Sequence, residues 1–280
     1  RADIGACLSA ITAEFNKCGD FAFSVTLQVV EVDIVRGGMT HDLLSTARRK
    51  DRLSDIRDGR HAALILAPPC ETHTRARHAN REGPPPLRSL DWPRGLPGLS
   101  AAHREQVRRA NVLADFAIEA MDAALDANIF VILEFPEDLG ATHGAYPASL
   151  WQDARLKKMS DKGAVRGAVY QDDFDALPYL KPTGLFTNVP LLVQDKRFHS
   201  GWPQFDEARK YLGPLPRKTP GPGQRGLIGK KADGSFRTKP SAAYAAGLCM
   251  SLASSIFQSW YTALSSSGVL ETPVAGVISL

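Results

Sequence analysis

Cys70 and Glu134 are the residues of this chain whose types and settings could do chemistry. Cys70 closes Pro68-Pro69-Cys70, directly after the apolar run Ala62-Ala63-Leu64-Ile65-Leu66-Ala67. Glu134 opens Glu134-Phe135-Pro136-Glu137, directly after Ile129-Phe130-Val131-Ile132-Leu133. A thiolate in such a place can add to an electron-poor ring carbon. A carboxyl beside it can protonate or hydrogen-bond the ring nitrogen that gains electron density. A neutral thiol is a weak nucleophile, so neighbouring arginines or a helix N-terminus would help by favouring the thiolate. Partial burial beside Phe135 would raise the pKa of Glu134 and favour its protonated form. Taken singly, Cys70 also reads as an inert buried thiol and Glu134 as a capping or salt-bridge residue. Their placement at the ends of two successive strands favours a site.

The elements that must position them follow from pattern. The two apolar runs, each closed by a proline-containing segment, read as buried parallel strands, whose carboxyl ends are where open α/β sheets hold ligands. Residues 24–35 read as an earlier strand, with Glu31 and Asp33 near its end. A helix is expected from about Ser9 to Lys17, a short one around Leu53 and Ile56, and a long one from Glu105 to Asn128. Short strands are expected over Gly167–Tyr170 and Gly184–Leu192, and a helix over Ser241–Tyr261 behind Pro240. Residues 71–98 and 213–240, rich in Pro, Gly, Arg and Lys, read as loops. Alternating strands and helices predict a doubly wound, mostly parallel α/β sheet. One domain is expected over residues 1–262, with a reduced basic insert at 190–240, and a tail or linker over 263–280.

Composition narrows the function classes. The chain has 280 residues, 44% hydrophobic and 23% charged, with a net charge of +4. The positive charge is clustered: Thr74–Arg109 holds eight arginines against three acids, and Gly213–Pro240 holds seven Lys/Arg against Asp233 alone. Such stretches suit a polyanion, although a solvated surface explains them as well. The four cysteines, 7, 18, 70 and 249, show no metal-ligand or disulfide spacing, so reduced thiols, no metal and an intracellular setting are expected. No signal peptide is read, and no apolar run approaches the ~20 residues of a membrane span.

With these residues in view, the chain resembles the DNA cytosine-5 methyltransferase family, and most closely its divergent phage and mobile-element branch. Pro68-Pro69-Cys70 through Arg77, with Thr74 four residues after the cysteine, is similar to the family's nucleophile loop, and Leu133-Glu134-Phe135-Pro136 to its Glu-Asn loop. Asp33-Ile34-Val35-Arg36-Gly37, His41-Asp42-Leu43-Leu44, Pro86-Leu87-Arg88-Ser89 and Lys181-Pro182-Thr183-Gly184-Leu185-Phe186-Thr187-Asn188 extend the likeness over roughly residues 3–260.

The resemblance implies a Rossmann-like class I fold, S-adenosylmethionine as methyl donor and a cytosine flipped out of double-stranded DNA. Cys70 would attack C6, Glu134 would engage N3, and the methyl group would pass to C5. Asp3, Gly5, Ala6, Asp33, Asp42, Pro69, Ser241 and Ala243 would hold the cofactor, with Asp33, or Glu31 in reserve, on the ribose hydroxyls. Thr74, Arg75, Arg77, Arg88, Lys181 and Thr183 would meet the nucleic acid. The protein would work in a nucleus or a bacterial or phage-infected cytoplasm, and a larger polyprotein is one setting the resemblance allows.

The chain departs from the family at several points. Cys7 and Ser9 stand where glycines are usual, Ala67 replaces a glycine and Phe135 an asparagine, and no Gln-x-Arg-x-Arg segment is evident. Two alternatives therefore accompany the reading: a decayed methyltransferase-like nucleic-acid-binding module of a mobile element, or methylation of another pyrimidine substrate.

Overall fold

The computed structural model describes residues 3–17, 24–79, 83–221, 224, 243–266 and 275–279. Helix α1 spans Ile4–Lys17. It starts earlier than Ser9 because the Asp3 carboxylate accepts the Ala6 N–H at 2.7 Å and caps the first turn. Strand β1 is Thr26–Val30, and helix α2 is Thr46–Arg57, capped by the Ser45 hydroxyl. Strand β2, Ala63–Leu66, leads into the proline–cysteine segment. Helix α3, Ala101–Asp126, is capped by Ser100 and returns the chain to β3, Phe130–Pro136.

Strands β4 (Val165–Tyr170) and β5 (Pro182–Thr187) form a hairpin-like pair. The expected strand to Leu192 ends at Thr187, because Pro190 opens a single helical turn, Pro190–Val193. Strand β6 (His199–Ser200) and the small ribbon β7 (Gln204–Phe205) with β8 (Tyr211–Gly213) follow. Helix α4 runs from Ala246 to Ser266, and β9 is Ala275–Ser279. The greater part of the expected basic loop, residues 222–223 and 225–240, lies outside the described residues.

Among the described residues the main sheet has seven strands in the order β1-β9-β2-β3-β5-β4-β6. The β1–β9, β9–β2 and β2–β3 pairs are parallel, while β3–β5, β5–β4 and β4–β6 are antiparallel. The fold is therefore mixed α/β, with parallel pairing confined to one half of the sheet. Residues 275–279, expected within a tail, instead occupy an interior position between β1 and β2. The run Ala-Gly-Val-Ile-Ser is too short, and too rich in small residues, to announce a central strand by pattern.

Side chains of β2 and β3 alternate between two cores, as strand geometry requires. Leu64, Val131, Leu133 and Phe135 pack with α2 and α3, whereas Ala63, Ile65 and Ile132 pack with α1 and α4. Burial on both faces explains why these strands read as continuous apolar runs. Among the described residues, no helix is long and apolar enough to cross a membrane.

Candidate functional site

In the β2–β3 ladder Leu66 pairs with Leu133 in parallel. Cys70, just beyond β2, and Glu134, one residue past Leu133, are thereby brought to the same edge of the sheet. The Cys70 carbonyl accepts the His73 N–H at 2.9 Å, which turns the chain sharply after the cysteine. The half-buried Cys70 side chain packs against the core shared with α2 and α3. Glu134 lies in phase with Phe130 and Ile132 and so faces the α4 side. There the Tyr244 hydroxyl, just ahead of α4, donates to Glu134 Oε2 at 3.0 Å.

Lys181 completes the group. Its ammonium lies over the Tyr244 ring at 5.4 Å and interacts electrostatically with both Glu134 and Cys70. Burial, and next the Glu134 carboxylate, push the Cys70 thiol up to about 11, with Lys181 pulling the other way. Burial also raises the Glu134 carboxyl, opposed by Lys181 and the Tyr244 hydrogen bond. Lys181 is itself lowered by burial, which the two acids counter. In this resting arrangement the thiol is neutral at physiological pH, and the carboxyl is poised toward accepting a proton.

Beside this group opens a cavity of about 510 Å³ at the carboxyl ends of β1 and β2. Asp3, Glu31, Asp33, Asp42, Pro69 and Tyr244 all line it, so one side chain, Tyr244, belongs both to the cavity and to the Cys70–Glu134 pair. Its walls also include Ile34, Leu43, Leu66 and Phe116, with Arg52, His61 and Arg109 contributing positive or titratable groups. The His41 Nδ1 atom at its rim is buried without a hydrogen-bond partner. Acids at strand ends, apolar walls and an unsatisfied ring nitrogen suit a nucleoside-bearing ligand.

Not every expected cofactor residue is there. Gly5 and Ala6 lie within the first turn of α1, and neither they nor Ala243 line the cavity. Ser241 lies outside the described residues. Asp3 and Asp42 each commit one carboxylate oxygen locally, to the N–H groups of Ala6 and Leu44.

The residues expected to meet nucleic acid divide sharply. Thr74 accepts the Ala76 N–H, and Arg77 donates to the carbonyls of Glu71 and Pro85 at 2.8 and 2.9 Å. Arg75 donates to the Ala141 carbonyl. Arg88 and Thr183 correct the expectation: both are buried with their polar atoms engaged inside the protein. A phosphate cannot reach either without displacing those bonds. Lys181 sits with Cys70 and Glu134 rather than on an outer surface.

Tyr244 escaped the sequence reading. The returning C-terminal helix located its neighbourhood, but no spacing singled out the tyrosine. Phe135 is buried and meets the His73 ring edge-on at 5.2 Å, joining the glutamate strand to the cysteine turn. Behind the site, Glu137 pairs with Arg166 in full burial and accepts the Tyr211 hydroxyl at 2.8 Å. Among the described residues, no cluster of three or more His, Cys, Asp or Glu side chains could hold a metal ion.

No protein-family model matches the chain, and neither a curated protein nor a solved structure matches it.

Proposed function

We propose that this protein transfers a methyl group from S-adenosylmethionine to C5 of a cytosine in DNA. The observation that carries the reading is the joining of Cys70 and Glu134, through Tyr244, to an acid-lined cavity of cofactor size. The bound cofactor would supply an electrophilic methyl group. Glu31 or Asp33 would take its ribose hydroxyls, and the apolar wall of Ile34, Leu43 and Phe116 its purine.

The remaining work falls to the chain. Cys70 adds as a thiolate to C6 of the extruded base, its proton having passed to water. Protonated Glu134 donates to N3 and relieves the charge gathering on the ring. Lys181 offsets negative charge as it develops, from a position where burial strengthens its field. After methylation, the N3 proton returns to Glu134, the C5 proton passes to water, and departure of the Cys70 sulfur as a thiolate restores the aromatic ring. The high resting pKa of Cys70 keeps the thiol neutral and unreactive in the free protein.

The test uses labelled S-adenosylmethionine and duplex DNA bearing 5-fluorocytosine, which traps the covalent intermediate. A labelled protein–DNA adduct is expected, and it should vanish in Cys70→Ala. DNA binding without cofactor binding or adduct overturns the reading in favour of a non-catalytic binding module. Transfer to RNA or free nucleotides in preference to DNA reassigns the substrate.

A further inference from the structure

We propose that Arg88 is a positioning residue for the Cys70 thiol, a buried guanidinium clamp that fixes the cysteine turn against α3. The proposal rests on the reading of Cys70 as the nucleophile.

Thr72 sits inside the turn closed by the Cys70 carbonyl and is 2% exposed. Its hydroxyl oxygen accepts Arg88 Nε at 3.0 Å. Arg88 is 1% exposed, and its other donors reach the Pro93 carbonyl at 2.6 Å, Asn111 Oδ1 at 2.7 Å and the Val107 carbonyl at 3.3 Å. One planar fork thus ties together the cysteine turn, the 86–98 loop and the middle of α3. Its acceptors are all uncharged. A buried cation with neutral partners is a poor source of stability compared with an apolar side chain of like volume. Burial drives the Arg88 group down to about 10, in keeping with that cost.

What the arrangement does supply is geometry. The opposite side of the same turn is held by the His73–Phe135 ring contact, and Phe135 follows Glu134 on β3. The turn is gripped between α3 and the strand that carries the acid, so the sulfur is held relative to the carboxyl. A lysine cannot reproduce the fork, because its single ammonium lacks the fixed spread of donors.

The experiment compares wild type with Arg88→Lys, Thr72→Val and Thr72→Ser. Iodoacetamide labelling is followed by mass spectrometry on the peptides carrying Cys70, Cys7 and Cys249, the last two being 7% and 0% exposed. Loss of a hydrogen bond to a charged group should loosen the turn and speed Cys70 labelling about tenfold in R88K and T72V. Labelling of Cys7 and Cys249 should not change, and T72S, which keeps the hydroxyl, should match wild type. In the methyl-transfer assay the same two variants should lose kcat with the cofactor KM unchanged.

Unaltered Cys70 labelling in both variants overturns the proposal. So does equal acceleration of all three thiols, which marks general destabilisation. A wild-type protein that never methylates, but whose Cys70 alone is loosened by R88K, refutes the methyltransferase reading and leaves the clamp standing.

Discussion

Replacing Glu134 by Gln should make Cys70 more acidic while abolishing its productive chemistry. Folding moves the Cys70 thiol from 9.0 to about 11. A displacement of about two units corresponds to ~2.7 kcal/mol against the thiolate. Burial is the larger cause and the Glu134 charge the second. Glutamine keeps the shape and the burial but removes the charge, so about one unit, ~1.4 kcal/mol, should be recovered. Well below its pKa, Cys70 would then hold about ten times more thiolate, but each thiolate would be roughly threefold less nucleophilic, because nucleophilicity falls with basicity. The net expectation is an about threefold faster alkylation of Cys70 at pH 8.5, with the midpoint of its pH profile about one unit lower. The same variant should form no adduct with 5-fluorocytosine DNA, since the N3 partner is gone. Alkylation that is unchanged or slower in E134Q would show that Glu134 exerts no field on the sulfur, and the argument for a working pair would fail.

Two further outcomes follow from buried groups around the site. The His73 imidazole is pushed down to about 3, mainly by burial and then by Arg88, so it is neutral in the fold and charges readily only when unfolded. The unfolded chain binds more protons below about pH 7, so this contribution is full well above about pH 6.5 and is lost as pH falls toward 3, by ~2.3 kcal/mol between pH 6.5 and 4.5. Urea unfolding at those two pH values should show the loss in wild type and a smaller one in His73→Phe; equal losses refute it. Arg166→Met strips the partner from buried Glu137 and should cost about 3–5 kcal/mol in urea unfolding, much of it restored by adding Glu137→Met. A cost below ~1 kcal/mol in the single variant would contradict the burial of that pair.

The sequence by itself determined the local elements around the chemistry. Buried strands followed by Pro68-Pro69-Cys70 and Glu134-Phe135-Pro136 were legible because two-sided burial leaves continuous apolar runs, and proline marks where pairing stops. The long helix between them was legible through its apolar spacing, to within a few residues at each end. Asp33, Asp42 and Pro69 line one cavity, since strand ends in such sheets converge.

What the tertiary structure decided was partnership. Tyr244 reaches Glu134 across 110 residues of chain, and Lys181 enters from the start of β5; neither meeting leaves a periodic trace in the sequence. Arg88 and Thr183 have the composition of a basic, polar surface, yet folding turns them inward, because a polar side chain can be buried wherever its donors and acceptors are met. Residues 275–279 pair between β1 and β2 for a related reason: strand pairing is satisfied by backbone groups that every residue carries, so a weakly marked segment can fill a central place. Local pattern records whether an apolar residue is buried. Which residue it meets there is settled only when distant segments pack.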